Sequence, residues 1–339
     1  MTSVLDSSRR NIVVIGASAG GVEALRALFA ALPADSGASY FVVLHMPAHS
    51  PSQLDRILQH VTPMQVTFAR DSQLIMPDTV YVAAPDRHMV LEGDRVRVTR
   101  GPKECRARPA IDVLFRSAAV SFGPRVIGVV LTGALDDGTA GLWQVKDRKG
   151  LAFVQDPADA SCGSMPESAV EHVEVDVLGT IGELSEAIAR ETSRVIELPQ
   201  VEAPRDAQRI EHEVALEENG MNVGVMDLGK VSKYTCPECH GVLVQIEEGR
   251  LVRFRCHTGH AYSFKSLLVE VNEAIDASLW STVRAIEERA LILRQMADIA
   301  DGAGKAADAA RLRTRAAEAE RKYAPMRELV LDSSFFAAD

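Results

Sequence analysis

Aromatic residues and basic charge are both scarce in this sequence. Phe, Trp and Tyr make up 5% of the 339 residues, and no apolar run approaches the roughly 20 residues of a membrane-spanning helix. The 37 lysines and arginines are outnumbered by 47 acidic residues, which opposes nonspecific nucleic-acid binding. The first ten residues lack the apolar core of a signal peptide. We therefore expect a cytoplasmic protein with no membrane insertion and no nucleic-acid partner.

Cysteines are also few, and their placement favours a metal site. Three of the five lie close together late in the chain, in the pattern C-x2-C-x16-C-x3-H. This pattern suits tetrahedral zinc in a reducing compartment better than a disulfide framework. The predicted ligands of a structural zinc are three thiolates and one imidazole: Cys236, Cys239, Cys256 and His260. His257 and His240 are alternatives for the fourth ligand.

A strand followed by a glycine-rich turn opens the chain at residues 12–21, IVVIGASAGG, and an amphipathic helix follows it. A serine on such a turn, here Ser18, can expose its hydroxyl, and the turn amides favour a developing negative charge. The same glycines are also compatible with a dinucleotide-binding turn. However, their spacing departs from G-x-G-x-x-G, and the next strand ends in His45 where a dinucleotide fold needs an acid.

Apolar strands alternate with amphipathic helices up to about residue 195. Strands are predicted at 12–15, 40–44, 66–68, 79–83, 126–131 and 151–154. Helices are predicted at 21–32, 51–61, 109–121, 139–147 and 183–193. Ser50 is the expected N-cap of the second helix and Pro51 its first residue. A hairpin is expected at 88–99. The pattern predicts an α/β domain with a doubly wound, mostly parallel sheet.

The rest of the chain changes character at residue 196. We predict four parts: an α/β catalytic domain at 1–195, a linker at 196–232, a zinc-ribbon-like Cys/His module at 233–262 and a helical tail at 263–339. The module should contain a hairpin turning around Gly249. The tail is predicted to form a helical hairpin that breaks at Gly302 and Gly304, with its second helix ending before Pro325. Its apolar stripe also suits a docking or dimerising coil.

Three polar residues follow strands of the predicted sheet. Ser18 follows the first strand, His45 ends the second, and Asp137 follows the strand at 126–131. Ligands bind beyond the carboxyl ends of such strands, and serine, histidine and carboxylate suffice for acyl transfer. Asp136 is an alternative for the acid.

Six segments together resemble the catalytic domain of CheB-type chemotaxis receptor methylesterases. They are IGASAGG (15–21), LHMP (44–47), VYVAAPDRHM (80–89), RPAIDVLF (108–115), LTGALDDGTAGL (131–142) and QDPADASCGSMPESA (155–169). The resemblance covers about 11–195. It implies hydrolysis of glutamate methyl esters on chemoreceptor helices, often with glutamine deamidation, and without a catalytic cofactor.

The resemblance also implies roles for individual residues. By motif position Ser18 is the nucleophile, His45 the general base and Asp137 the orienting acid, and backbone amides near Ala19 and Ala134 stabilise the oxyanion. The family usually has LTGMG where this chain has Leu131-Thr132-Gly133-Ala134-Leu135. Only ten residues precede the first strand, so we expect no phosphoacceptor receiver domain in cis.

We therefore predict a protein-glutamate methylesterase that acts on a methylated chemoreceptor or another helical signalling protein. The helical tail would align that partner or form a homodimer. The alternative function is a catalytically weak or inactive scaffold in a sensory complex, which the altered loop at 134–135 and the missing receiver favour.

Overall fold

Seven strands form the central sheet of the computed structural model, which describes residues 8–49, 51–197, 199–217, 220–332 and 335. The strands are β1 (Ile12–Ala17), β2 (Ser39–Leu44), β3 (Gln65–Phe68), β5 (Thr79–Val82), β8 (Val126–Val130), β9 (Leu151–Gln155) and β10 (Val177–Gly179). Their order is β10-β9-β8-β1-β2-β5-β3, and every neighbouring pair is parallel. A second sheet of β4 (Gln73–Leu74), β7 (Arg95–Thr99) and β6 (His88–Glu92) contains the predicted hairpin.

Helices cover both faces of the central sheet. They are α1 (Gly21–Ala31), α2 (Leu54–Gln59), α3 (Ile111–Phe122), α4 (Thr139–Asp147), α5 (Ser164–His172) and α6 (Ile181–Ser193). Alternate residues of β1 enter different cores: Val14 packs in the core that includes α3, and Val13 in the core that includes α1. The period of two along a strand produces this division. The predicted doubly wound α/β fold is confirmed.

The C-terminal third begins with α7 (Asp206–Ala215) and α8 (Gly220–Val223), which lie in the predicted linker. The Cys/His module forms an antiparallel sheet of β11 (Lys230–Thr235), β12 (Val242–Glu248), β13 (Leu251–Cys256) and β14 (Ala261–Ser263). Two long helices follow, α9 (Phe264–Gly302) and α10 (Ala306–Leu331). The chain divides into two compact units, 1–266 and 267–339, so the module belongs to the same unit as the α/β domain.

Several predicted boundaries are wrong. Helix α2 begins at Leu54, after Pro51, and its predicted N-cap Ser50 lies outside the described residues. Helix α10 continues through Pro325 to Leu331, because a proline removes one backbone hydrogen bond while the flanking turns still form theirs. The sequence periodicity did not indicate α5 or β10. Helix α5 is polar and contains a proline, and strand β10 has only three residues.

Candidate active site and Cys/His module

Ser18 lies on the turn between β1 and α1. Its backbone N–H donates to the Thr132 carbonyl at 2.9 Å, which joins this turn to the loop after β8. Gly20 has φ +75, and a Cβ atom there would lie 2.7 Å from Ser161 Cβ, so both the backbone conformation and the close approach require glycine. A Cβ on Gly133 would lie 2.9 Å from Ser18 Cβ. The glycines therefore allow two loops to pack closely around the serine.

His45 and Asp137 form a hydrogen-bonded pair beside this turn. His45 follows β2 directly, and its Nε2 lies 2.7 Å from Asp137 Oδ2. Asp137 is only 2% exposed, and both of its oxygens accept backbone N–H groups from the start of α3: Oδ2 from Ile111 at 2.7 Å and Oδ1 from Asp112 at 3.0 Å. These donors hold the carboxylate in one orientation beside His45. When Nε2 carries the proton, the carboxylate leaves Nδ1 free to act as a base.

The neighbouring acid faces a different partner. Asp136 Oδ1 accepts a hydrogen bond from Ser263 Oγ at 2.9 Å, and burial raises the pKa of Asp136. Sequence reasoning left both aspartates open, because either can end the same turn. In the structure Asp137 is the one within hydrogen-bond distance of His45.

A cleft of about 480 Å³ brings most of the predicted residues together. Ser18, His45, Ala134 and Asp137 line one part of it, and Lys103 and residues 105–109 line another. Ala19 follows Ser18 in the turn, and its carbonyl accepts from Thr132 Oγ1 at 2.8 Å. The oxyanion role of the Ala19 and Ala134 amides stays a prediction.

Sequence reasoning missed Asp112, which pairs with the candidate acid. The first turn of α3 carries this buried side chain, whose Oδ1 accepts the N–H groups of Gly138 at 3.0 Å and Gly141 at 2.6 Å. Asp137 thus accepts the first N–H groups of α3, and Asp112, inside α3, accepts N–H groups at the start of α4, so each carboxylate stabilises the start of one helix. Burial and the charge of Asp137 raise the pKa of Asp112 to about 8. The motif RPAIDVLF contains Asp112 but does not indicate this contact.

Leu135 occupies a strained backbone position in the altered loop. Its φ is +63, in the left-handed region where a side chain costs about 1–2 kcal/mol relative to glycine. The LTGMG pattern of the family would place glycine at this position. The substitution therefore introduces local strain beside Ala134, which lines the cleft.

Four potential metal ligands converge in the Cys/His module. The ligand atoms of Cys236, Cys239, Cys256 and His260 all lie within 4.8 Å of one another. Cys239 Sγ is 3.5 Å from Cys256 Sγ, and His260 Nδ1 is 3.5 Å from Cys256 Sγ and 3.7 Å from Cys236 Sγ. A tetrahedral zinc ion with Zn–S bonds of about 2.3 Å and Zn–N bonds of about 2.0 Å separates its ligand atoms by about 3.5–3.8 Å. The donor set and its spacing therefore fit zinc.

The surroundings of these ligands also suit a metal. His260 Nε2 lies 3.3 Å from Glu238 Oε2, so a carboxylate orients the ring with Nδ1 toward the sulfurs. The Tyr262 hydroxyl lies 3.4 Å from Cys236 Sγ. The hydrogen bond between the Cys236 and Cys256 thiols lowers the pKa of Cys256 to about 7 and raises the pKa of Cys236, so Cys256 is the thiol of this pair that ionises first.

The α/β domain is similar to known proteins. Residues 13–188 match the family model described as CheB methylesterase. A protein of Leptospira interrogans, provisionally named protein-glutamate methylesterase/protein-glutamine glutaminase, is 37% identical over 52% of this chain and 93% of its own length. A relative from Anaeromyxobacter dehalogenans with that name, numbered 5, is 40% identical over 50% of this chain and 47% of its own.

A solved structure agrees with these sequence matches. The crystal structure of the Thermotoga maritima CheB methylesterase catalytic domain is 30% identical, with a TM-score of 0.51, and covers 53% of this chain and 97% of that one. Among the helices in the described part of the chain, none combines the length and apolar character needed to cross a membrane. Because the family model matches more than half of the residues, the chain belongs to the CheB methylesterase family.

Proposed function

We propose that this protein is a protein-glutamate methylesterase that uses Ser18 as its nucleophile, and that it also deamidates glutamine at equivalent sites. The observation that carries the proposal is the 2.7 Å hydrogen bond between His45 Nε2 and buried Asp137, in the cleft that Ser18 also lines. The matched family and the names of the relatives agree with this chemistry.

The proposed reaction has two halves. His45 removes the proton of Ser18 Oγ, which attacks the ester carbonyl of a methylated glutamate, while Asp137 stabilises the imidazolium. Backbone amides near Ala19 and Ala134 stabilise the oxyanion. The intermediate then expels methanol, with the proton supplied by His45. Water, activated by His45, hydrolyses the acyl-enzyme and releases the glutamate carboxylate. A glutamine substrate releases ammonia in place of methanol.

The proposed partner is a methylated chemoreceptor or another helical signalling protein. A glutamate side chain on a helix surface presents its ester to an open cleft, which agrees with the position of Ser18 and His45 on loops at the edge of the sheet. The tail provides a second helical surface. On α9 the exposed apolar residues include Leu268, Val271 and Ile275, at a spacing suited to a helical partner or a second copy of this chain.

We also propose that Cys236, Cys239, Cys256 and His260 bind one structural zinc ion. With four protein ligands the site is closed, so it would stabilise the module without taking part in ester hydrolysis directly. Metal analysis of the purified protein should find about one zinc per chain, and Cys256→Ser should lose it. Retention of a full equivalent by that variant would refute this ligand set.

Methanol release from methylated receptor cytoplasmic fragments tests the proposed activity. Wild type should release methanol, and Ser18→Ala should be slower by several orders of magnitude, with unchanged thermal stability. Equal release by both would exclude Ser18 as nucleophile. If neither folded protein releases methanol from methylated receptor fragments, two alternatives remain: a different methylated helical partner, or the scaffold function. The strain at Leu135 is the observation that favours the scaffold function.

A further inference from the structure

The cleft has a wall that pairs with the Cys/His module. Lys103 and residues 105–109 line the cleft beside Ser18 and His45, and the segment 103–109 forms this wall. The Cys105 N–H donates to the carbonyl of Ala261 in β14 at 2.9 Å, and the Ala261 N–H donates to the Lys103 carbonyl at 3.3 Å. Glu104 thereby forms a parallel bridge with Ala261. The wall therefore extends the edge of the module's sheet, one residue after the candidate metal ligand His260.

A buried ionic cluster joins the same wall to the module. The Glu104 carboxylate accepts from Arg116 of α3 and, at 2.9 Å, from Arg255 of β13. Arg255 also donates to Glu211 of α7 at 2.8 Å. All four side chains are at most 3% exposed. Burial alone would raise the pKa of Glu104, but Arg116 and Arg255 lower it, so the carboxylate is charged and depends on both arginines.

Two connections lead from this wall to the metal ligands. Arg255 immediately precedes Cys256, and its Nη1 donates to the Gly259 carbonyl at 2.7 Å, inside the turn between Cys256 and His260. Lys103 Nζ lies 2.8 Å from Glu238 Oε1, while Glu238 Oε2 lies 3.3 Å from His260 Nε2. If the ligand turn opens, the partners of both Lys103 and Glu104 move with it.

We infer that the metal-bound Cys/His module positions the wall at 103–109 for catalysis, so that esterase turnover depends on the state of a metal site that takes no part in the chemistry. The inference rests on the proposed function for its catalytic consequence. Arg255 and Glu238 are then positioning residues, because they act through Glu104 and Lys103. Misplacement of a substrate-binding wall by about 1 Å can cost about 100-fold in rate.

Hydrogen–deuterium exchange of the full chain tests the structural part without any substrate. Removing zinc with a chelator should speed exchange of the peptide that contains 103–107 by at least about tenfold, and zinc should restore it. Peptides from β1 and β8 should be unchanged. Faster exchange confined to 230–263 would overturn the inference. Loss of protection throughout the α/β domain would also overturn it, because the metal would then stabilise the whole unit rather than position one wall.

Methanol release tests the catalytic part. Chelation should lower kcat/KM by about 10- to 100-fold, and Ser18→Ala should stay inactive with and without zinc. Unchanged kcat/KM in a protein shown to have lost its zinc would overturn the inference. If zinc-loaded wild type releases no methanol, the proposed function fails, while the exchange pattern still decides whether the module holds the wall.

Two glutamates of the module provide a matched pair of variants. Glu238→Ala removes the partner of Lys103, whereas Glu247→Ala removes an exposed carboxylate of β12. With zinc saturating, Glu238→Ala should raise KM several-fold and speed exchange at 103–105, and Glu247→Ala should do neither. In a Lys103→Ala background the Glu238→Ala effect should disappear, since it acts through Lys103. Two results would contradict the connection through Lys103. One is equal effects of the two glutamate variants, and the other is full additivity of the Glu238→Ala and Lys103→Ala effects.

Discussion

Replacing Asp137 with asparagine provides a direct test of the proposed acid. Both carboxylate oxygens accept a backbone N–H from the start of α3, and Oδ2 also contacts His45 Nε2. Whichever way the asparagine amide turns, its NH₂ group therefore faces a backbone donor. In one orientation the NH₂ group faces the Asp112 N–H. In the other it faces the Ile111 N–H and also reverses the preferred tautomer of His45.

The expected losses of stability and of turnover in Asp137→Asn follow from these contacts. A buried unsatisfied donor costs about 1–3 kcal/mol of stability. Removing the charge of Asp137 offsets part of that cost, because this charge helps to raise the pKa of Asp112. The effect on turnover should be larger, about 10⁴-fold or ~5.4 kcal/mol, as expected when a triad acid becomes an amide.

Initial rates of methanol release, together with urea denaturation, measure both effects. The matched control is Asp136→Asn, which can still accept the hydrogen bond of Ser263 and should retain turnover within about tenfold. The reasoning fails if Asp137→Asn keeps turnover within tenfold of wild type, or if Asp136→Asn is the more damaging change.

Three further changes have predictable outcomes. Leu135→Gly should raise stability by up to about 1 kcal/mol, since relief of the strain at φ +63 exceeds the added entropy of the unfolded chain; a lower melting temperature would contradict this. Asp112 has a pKa raised to about 8, so its protonated form stabilises the fold at low pH and that contribution is lost as pH rises from about 4 through 8. Urea denaturation from pH 5 to 8.5 should therefore show that the free energy of unfolding declines less steeply with pH for Asp112→Asn than for wild type. Parallel curves would refute the raised pKa of Asp112. Arg116→Met should cost about 3–5 kcal/mol, because it leaves buried Glu104 short of a partner; a loss below about 1 kcal/mol would show that Arg255 suffices.

Much of the fold could be predicted because its signals are local. The strands at 12–15, 40–44 and 126–131 lie within two residues of the observed bounds, since each is a short apolar run that ends at a polar or glycine-rich turn. The elements and boundaries that were predicted wrongly have local causes as well. Helix α5 contains Pro166 and little periodicity, and α10 continues through Pro325 because the surrounding turns outweigh one lost hydrogen bond.

Some residues of the candidate sites could likewise be predicted from the sequence, and others could not. The strand-end rule indicated Ser18, His45 and Asp137, and the cysteine spacing indicated the proposed zinc ligands, because these signals depend on residue type and spacing. No pattern in the sequence indicated that Asp112 caps α4, or that Glu104 contacts an arginine 151 positions later in the chain. Isolated charged residues are usually solvated, so their sequence positions carry no information about burial.

The sequence by itself determined the alternation of strands and helices, the serine-bearing turn and the Cys/His ligand pattern, because periodicity, turn chemistry and ligand spacing act over a few residues. Only the tertiary structure decided which aspartate meets His45 and that the module pairs with one wall of the cleft. Those outcomes depend on buried ion pairs and backbone hydrogen bonds between segments far apart in sequence. Their energies arise only when folding removes the charged groups from water.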